Sequence, residues 1–517
     1  MSRPKTMIKQ SKKKKKEQIL EDADDYLAAG VEHEESAGKW RAGDATKSLR
    51  FFYRAIEIYD QGLLKYSRNL DLAYNKARVE LEIATHPTLV RHADRPLTSV
   101  LEAALISHRY ALDLDPNNAD TLFNTAQVLV SIAEALAKDD NRTNDALQFL
   151  EEALEMQNRC LSVQELEYEE TEQQRRAMVE SQGQDSSQPA KETASPTAVA
   201  ATSQASAPSS TTAAAEDQWF SVLSPTTPDT LIETILAQIS TLTTICSIIA
   251  GTFPAPATPT LAWLGSYPEE MLTSKLPALA ADASAPRLQE IALTKGNFMS
   301  RLLEAGFRHL TLDASTYHDE LTTAFAVPEL QLQSHPSTDA LTAHAEALIL
   351  YATALAETPN AEPAETSYPF APQRWAALSA AVASLTRASK LPALAATDTA
   401  RTHFLRGDAS LHLYMLGQAP ISFPAAVSNA TQLLKNAEVF YRNASRLQAG
   451  ENENKDEDDA KAVAGLRSTV AQVLQGKSPE APLGSDTGRE EAWVREQVAE
   501  MVEEGLVPSG FMGIVAA

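Results

Sequence analysis

Cysteine is nearly absent. Cys160 and Cys246 are the two thiols in 517 residues, and no CxxC pair occurs. A disulfide framework and a zinc ribbon are therefore excluded. Both cysteines sit among apolar or helical neighbours and read as buried free thiols of a reducing compartment. Glycine is scarce, at 19 residues, and aromatics make up 6% of the chain. Strands favour β-branched and aromatic residues, whereas alanine loses no side-chain entropy in a helix. A chain poor in glycine and aromatics and rich in alanine points to close-packed helices.

Positive charge is also in short supply. The formal net charge is −24. The first twenty residues run the other way, with eight cations, including Lys12, Lys13, Lys14, Lys15 and Lys16, against the single acid Glu17. That local surplus of seven leaves −31 on the remainder. Such a body repels nucleic acid and anionic membranes and attracts basic partners at long range. The Lys12–Lys16 run cannot bury itself. It reads equally as a nuclear-import signal and as a solubilising tail.

Long uninterrupted apolar runs are missing too. No apolar stretch follows the basic N-terminus as a secretory signal would require. The most apolar segment, Leu231–Ala250, is interrupted by Glu233, Gln238 and several Thr and Ser, short of an unbroken span. The last residues carry no lipidation or retention signal. These features make a cytoplasmic or nuclear protein without membrane contact the expectation.

Catalytic signatures are absent as well. There is no GxGxxG, Walker A, GxSxG or HExxH motif. His33-Glu34-Glu35 lacks a second histidine one turn on and reads as a solvated helix face. His403 and His412, nine residues apart, fit no metal spacing. Arg406-Gly407-Asp408 spells an integrin-type tripeptide but falls inside a predicted helix. The runs Glu165–Glu172 and Glu453–Asp459 read as solvated surface, because buried unpaired charge is too costly. No metal, cofactor or catalytic residue is expected, and the chain reads as non-enzymatic.

What is present is helical periodicity. Leu49, Phe52, Ile56, Tyr59 and Leu63 recur every three or four residues, the spacing of one buried helix face. Leu70–Ala84, Leu97–Leu114, Ala119–Ala137 and Asn144–Leu161 repeat the pattern, with Pro87, Pro96 and Pro116 between them. Thr227, Pro228 and Asp229 form a helix start. Further helices are predicted near 286–306, 313–326, 338–357, 372–390, 398–417, 424–447, 459–475 and 488–504, with Gly505 as a left-handed cap. The predicted organisation is a basic disordered tail (1–20), a helical lobe (21–181), a Ser/Thr/Ala/Pro linker (182–216) and a second helical lobe (217–450). An acidic loop (451–459) and C-terminal helices with an apolar tail (460–517) follow. The linker is too poor in aliphatic residues to offset its ordering entropy.

One signature recurs on the second helix of each pair: a small residue, a large one four later, and alanine three beyond that. It reads Ser48/Phe52/Ala55, Ala104/His108/Ala111, Ala146/Leu150/Ala153, Ala381/Leu385/Ala388 and Ala437/Tyr441/Ala444. Small residues let two helices approach closely, while the large one fills the groove to the next. Two first helices align as well, Tyr74–Val79 with Phe123–Val128. Leu112–Ala119 has the form of an inter-repeat turn, and Gly43-Asp44 that of a turn within a repeat.

With these features the chain resembles the tetratricopeptide (TPR) family, and Asp24–Pro87 resembles the start of a poorly characterised fungal group of TPR proteins. It departs from the family period of about 34 residues, since Ala55 to Ala111 is 56 and Ala111 to Ala153 is 42. Ala77 and Ala126 also stand where the family has a first-helix glycine. The resemblance implies an all-α, TPR-like helix-pair α-solenoid in two lobes joined by a disordered linker, whose first helices line a protein-binding groove. Asn75, Arg78, Asn124 and Gln127 are the candidate groove residues. Three functions are compatible with it. The acidity favours an adaptor or assembly chaperone for a basic protein client, such as a ribosomal protein or a histone. A co-chaperone of the Hsp70/Hsp90 kind would grip a C-terminal carboxylate; Asn75 matches one such position, but Ala119–Ala137 contains no Lys or Arg. The third is a structural subunit of a larger complex.

Overall fold

The computed structural model describes residues 20–184, 226–252, 258–333, 336–357, 368, 370–391, 396–447, 455–477 and 489–515. Among the described residues there are helices and no strands. The first half holds α1 (Ala23–Trp40), α2 (Ala45–Lys65), α3 (Leu70–Thr85), the single turn α4 (Pro87–Val90), α5 (Leu97–Leu114), α6 (Ala119–Leu136) and α7 (Thr143–Gln184). The second begins with α8 (Pro228–Gly251), α9 (Thr258–Ser266), α10 (Leu276–Leu279), α11 (Ala285–Arg308), α12 (Ala314–Phe325) and α13 (Thr338–Glu357). It ends with α14 (Ala371–Ala388), α15 (Ala396–Met415), α16 (Pro424–Leu447), α17 (Lys455–Leu474), α18 (Glu491–Glu503) and α19 (Met512–Val515).

Local chemistry sets many of the boundaries. Asp22, Asp44, Asn69, Asn118 and Thr227 each accept a hydrogen bond from the backbone N–H three residues on. Each fills one of the donors that a helix's first turn leaves open. Pro228 occupies the first position of α8, where its missing N–H costs nothing. Gly505 follows α18 at φ 70°, a left-handed conformation that tolerates no Cβ cheaply.

Each helix packs on the next: α1 on α2, α2 on α3, α3 on α5, and so through α5, α6, α7, α8 and α11, then from α13 through α14, α15 and α16 to α17. First helices also touch the following first helix, as in α1–α3, α3–α6, α6–α8 and α13–α15. The result is a two-row stack. All fifteen residues of the recurring signature are 1% exposed or less. Alanines at the crossings remove the bulk that would hold the helices apart, and Phe52, His108, Leu150, Leu385 and Tyr441 fill what remains. His108 is a packing residue. Its Nδ1 lies 2.8 Å from the Ala104 carbonyl, and burial pushes its pKa down.

The two predicted lobes share one core. Leu154, Cys160 and Leu161 of α7 belong to the same apolar cluster as Leu231, Ile235, Ile239 and Leu242 of α8. A buried polar ladder runs through this seam. Gln157 Nε2 donates to Thr241 Oγ1 at 3.0 Å, Thr234 Oγ1 donates to Gln164 Oε1 at 2.7 Å, and Gln238 Nε2 donates to the Gln157 carbonyl at 3.4 Å. Tyr267 closes it from beyond α9, donating to Gln238 Oε1 at 3.2 Å. By length and composition α8 is apolar enough to cross a membrane. Here most of it is buried inside the stack, which explains both its hydropathy and its interrupting Thr and Gln residues.

Several expected boundaries move. The helix of α7 continues to Gln184, three residues into the predicted linker; residues 185–216 of that linker, and the Lys12–Lys16 run, lie outside the described residues. Within the acidic loop predicted over 451–459, residues from Lys455 on belong to α17, and 451–454 lie outside the described residues. Acidic residues suit a first helical turn, where they face the positive end of the dipole. The helices α9 and α10 were hidden behind the prolines around 253–259. Pro259 stands near the start of α9, where it is tolerated.

The seam makes a direct test possible. Thr241→Val keeps the shape but leaves the Gln157 amide without its acceptor, so chemical denaturation should show a loss of about 1–3 kcal/mol. Adding Gln157→Leu removes the stranded group and should return most of that loss.

Candidate protein-interaction surfaces

The candidate groove residues lie on the row of first helices. Asn75 donates Nδ2 to the Asp71 carbonyl at 2.8 Å and accepts from Arg78 Nη2 at 3.4 Å. Arg78 reaches across to α1 and ion-pairs with Glu34. Asn124 Nδ2 lies 3.4 Å from Tyr74 Oη on α3. Gln127 is exposed. The fold thus joins Asn75 to Arg78, ties Asn124 to the neighbouring helix, and leaves Gln127 facing solvent.

Glu34 is the residue that sequence reasoning missed. Its side chain is only 12% exposed, not the solvated face expected of His33-Glu34-Glu35. Tyr59 of α2 donates its hydroxyl to Glu34, and Arg78 of α3 holds the same carboxylate. Burial and the adjacent Glu34 carboxylate raise the Tyr59 pKa, so the phenol stays protonated. Gly30 makes this possible: a Cβ there would fall 2.1 Å from the Tyr59 ring. The signal was a glycine in mid-helix, a costly placement that asks for a packing reason.

The same device recurs near the other end of the stack. Gly407 of α15 lies against the Tyr441 ring of α16. Tyr441 donates to Asp408 Oδ1 at 2.6 Å, and Arg467 of α17 pairs with that oxygen at 2.6 Å and with Glu504 at 2.8 Å. The Arg406-Gly407-Asp408 tripeptide is therefore structural. Arg406 lies over the Phe440 ring, 3.9 Å from its centroid, and Asp408 is committed to the Tyr441–Arg467 cluster. His403 stacks on Phe440, while His412 is buried and pushed down to about 3 by burial and by Arg374 and Arg467. The two histidines do not converge. Burial pushes both thiols up to about 12, and Cys160 donates to the Ala119 carbonyl at 3.3 Å. Among the described residues no three His, Cys, Asp or Glu side chains converge on a metal position.

A second groove of about 440 Å³ opens where α8, α11, α13 and α15 meet. Asn297, Arg301, the Glu346–Arg401 pair, Leu350 and Leu405 line it. Elsewhere, Leu64 and Ile106 stand 86% and 70% exposed beside Tyr110, around a concavity of about 420 Å³ that Asp60 and Lys76 also line. Behind it, burial pushes the Glu80 carboxyl up to about 7, and among the described residues its Oε2 has no hydrogen-bond partner.

No family model matches the chain. It is similar to UPF0656 protein C926.02 of Schizosaccharomyces pombe (strain 972 / ATCC 24843), at 32% identity over 155 residues. That match covers 30% of this chain and 34% of the relative, so the chain spans about a third of the length of that relative. An uncharacterized protein of Saccharomyces cerevisiae (strain ATCC 204508 / S288c), YNL193W, is 33% identical over 81 residues, covering 15% of this chain and 14% of the relative. Among solved structures, a circular tandem repeat protein with novel repeat topology and enhanced subunit contact surfaces is similar at TM-score 0.30 and 12% identity, over 96% of this chain and 97% of that one. Fungal relatives were expected, and these two matches supply them.

Two measurements check the geometry. Gly30→Ala should cost about 1–3 kcal/mol of stability by overpacking against the Tyr59 ring. Gly38→Ala, on the same helix with open space around it, should instead stabilise by about 0.5–1 kcal/mol. Glu80 is protonated in the folded state at pH values where the unfolded chain has already ionised. Its contribution to stability should therefore fall as pH rises from about 4.5 through about 7. Glu80→Gln should flatten that window in denaturation curves.

Proposed function

We propose that this chain is a non-enzymatic scaffold of the tetratricopeptide kind that binds a basic protein client, as an adaptor or assembly chaperone. The observation that carries the reading is the net charge of −24 spread over a helix-pair stack. An extended acidic surface raises the encounter rate with basic proteins and shields them from nucleic acid. The first-helix row supplies the surface: Asp71 and Asp120 are exposed at the starts of α3 and α6, beside Asn75, Asn124 and Gln127. Buried thiols that burial keeps protonated, and clusters committed to packing, support a binding role over turnover.

The Hsp70/Hsp90-type reading is weaker. Asn75 and Arg78 are engaged with each other and with Glu34, so a carboxylate arriving there would meet an occupied arginine and a resident acid. The structural-subunit reading is favoured by the exposed Leu64 and Ile106, which suit an apolar partner surface.

The test is affinity purification of the tagged protein at ~50 mM and ~300 mM salt, where screening separates electrostatic from apolar capture. The expected result is a dominant basic protein, lost at the higher salt and lost from an Asp71→Lys/Asp120→Lys variant. Hsp70 or Hsp90 as the main catch, or a complex indifferent to salt, would reject the basic-client reading.

A further inference from the structure

We propose that the exposed face of α2 is a second docking site, one that takes an acidic segment of another protein. Lys47, Arg50 and Arg54 line a concavity of about 460 Å³ together with Phe51, Thr46 and one acid, Asp44, whose Oδ1 is committed to capping α2 by accepting from the Lys47 backbone N–H at 2.9 Å. Carboxylates outnumber cations by 69 to 45 in this chain, so most cations have an acid to hand. Yet among the described residues none of these three is ion-paired. Lys47 lies over the Trp40 ring, Arg54 over the Phe51 ring at 5.7 Å, and Arg50 is exposed to solvent. Trp40 itself is 41% exposed at the edge of the patch. The arrangement sets three cations, none in an ion pair among the described residues, against a single capping carboxylate and interleaves them with aromatic surface on an otherwise acidic molecule.

The charge and the size of the patch select the occupant. Lys47 to Arg54 spans about 10 Å of helix, which matches about three residues of extended chain. That suits a short acidic stretch carrying an apolar or aromatic side chain for Phe51 and Trp40. Nucleic acid asks for a longer basic track, and the −24 of the whole chain repels a polyanion. The site stands apart from the acidic surface assigned to a basic client and does not depend on that reading. A scaffold with both would hold two partners of opposite charge at once.

The test is fluorescence anisotropy of a labelled peptide of alternating Glu and Phe against the full chain. The expected result is salt-sensitive binding that falls at least ~10-fold in Arg50→Glu/Arg54→Glu. Binding should be unchanged in Arg176→Glu/Arg446→Glu, which alters net charge equally at exposed positions elsewhere. Both arginines of the patch are exposed, and circular dichroism checks that the variant keeps its helicity. The proposal fails if the peptide does not bind the unmodified chain, or if it binds both double variants equally. It also fails if a single-stranded RNA oligonucleotide binds the same arginines more tightly than the peptide.

Discussion

Close approach between consecutive helices is the constraint on which this structure rests. It is set by residues that are small and wholly buried, among them Ala55, Ala104, Ala111, Ala153, Ala388 and Ala444. Dispersion falls away within a fraction of an ångström of optimal contact, so a methyl group at each crossing is worth more than a larger side chain that holds the helices apart. The large residue beside each pair, such as Phe52 or Tyr441, fills the groove that remains. Where even alanine is too large, glycine replaces it: Gly30 and Gly407 let a tyrosine ring lie directly on a neighbouring helix.

Those two tyrosines show how an acidic chain manages charge inside its stack. A phenol placed on a helix backbone must find a partner for its hydroxyl. Glu34 and Asp408 supply one, and each carboxylate is then neutralised by an arginine from the next helix, Arg78 or Arg467. One packing decision thus draws three helices into a polar cluster. The α7–α8 seam follows the same logic with neutral groups. Gln157, Gln164, Thr234, Gln238 and Thr241 are all buried, and their mutual hydrogen bonds align the two helices where the chain on either side is far apart in sequence. Charge that is not neutralised in this way stays on the surface, negative in sum over the chain and with three cations along one face of α2.

Helix positions were largely legible in the amino-acid sequence. Apolar spacing, proline placement and capping residues mark α5, α13 and α16 to the residue, because these are local effects within a few turns. The buried identity of the small-large-alanine signature was legible for the same reason. The candidate groove residues were legible only as positions on first helices. Their partners were not, because Arg78 and Glu34 are 44 residues apart and Asn124 and Tyr74 are 50 apart. Glu34 looked like surface because Gly30, one turn before it, signals a close contact but does not say that Tyr59 and Arg78 make it.

Composition and local pattern therefore determined that this protein is helical, repeat-like and acidic. Each of those properties is a sum over residues or a short-range preference. Tertiary structure alone decided that the two helical halves share a core, that Arg406-Gly407-Asp408 is consumed in packing, and that among the described residues three cations of α2 have no ion pair. Those outcomes depend on which helix faces which, and side-chain pairing across a stack is settled only when the helices come into contact.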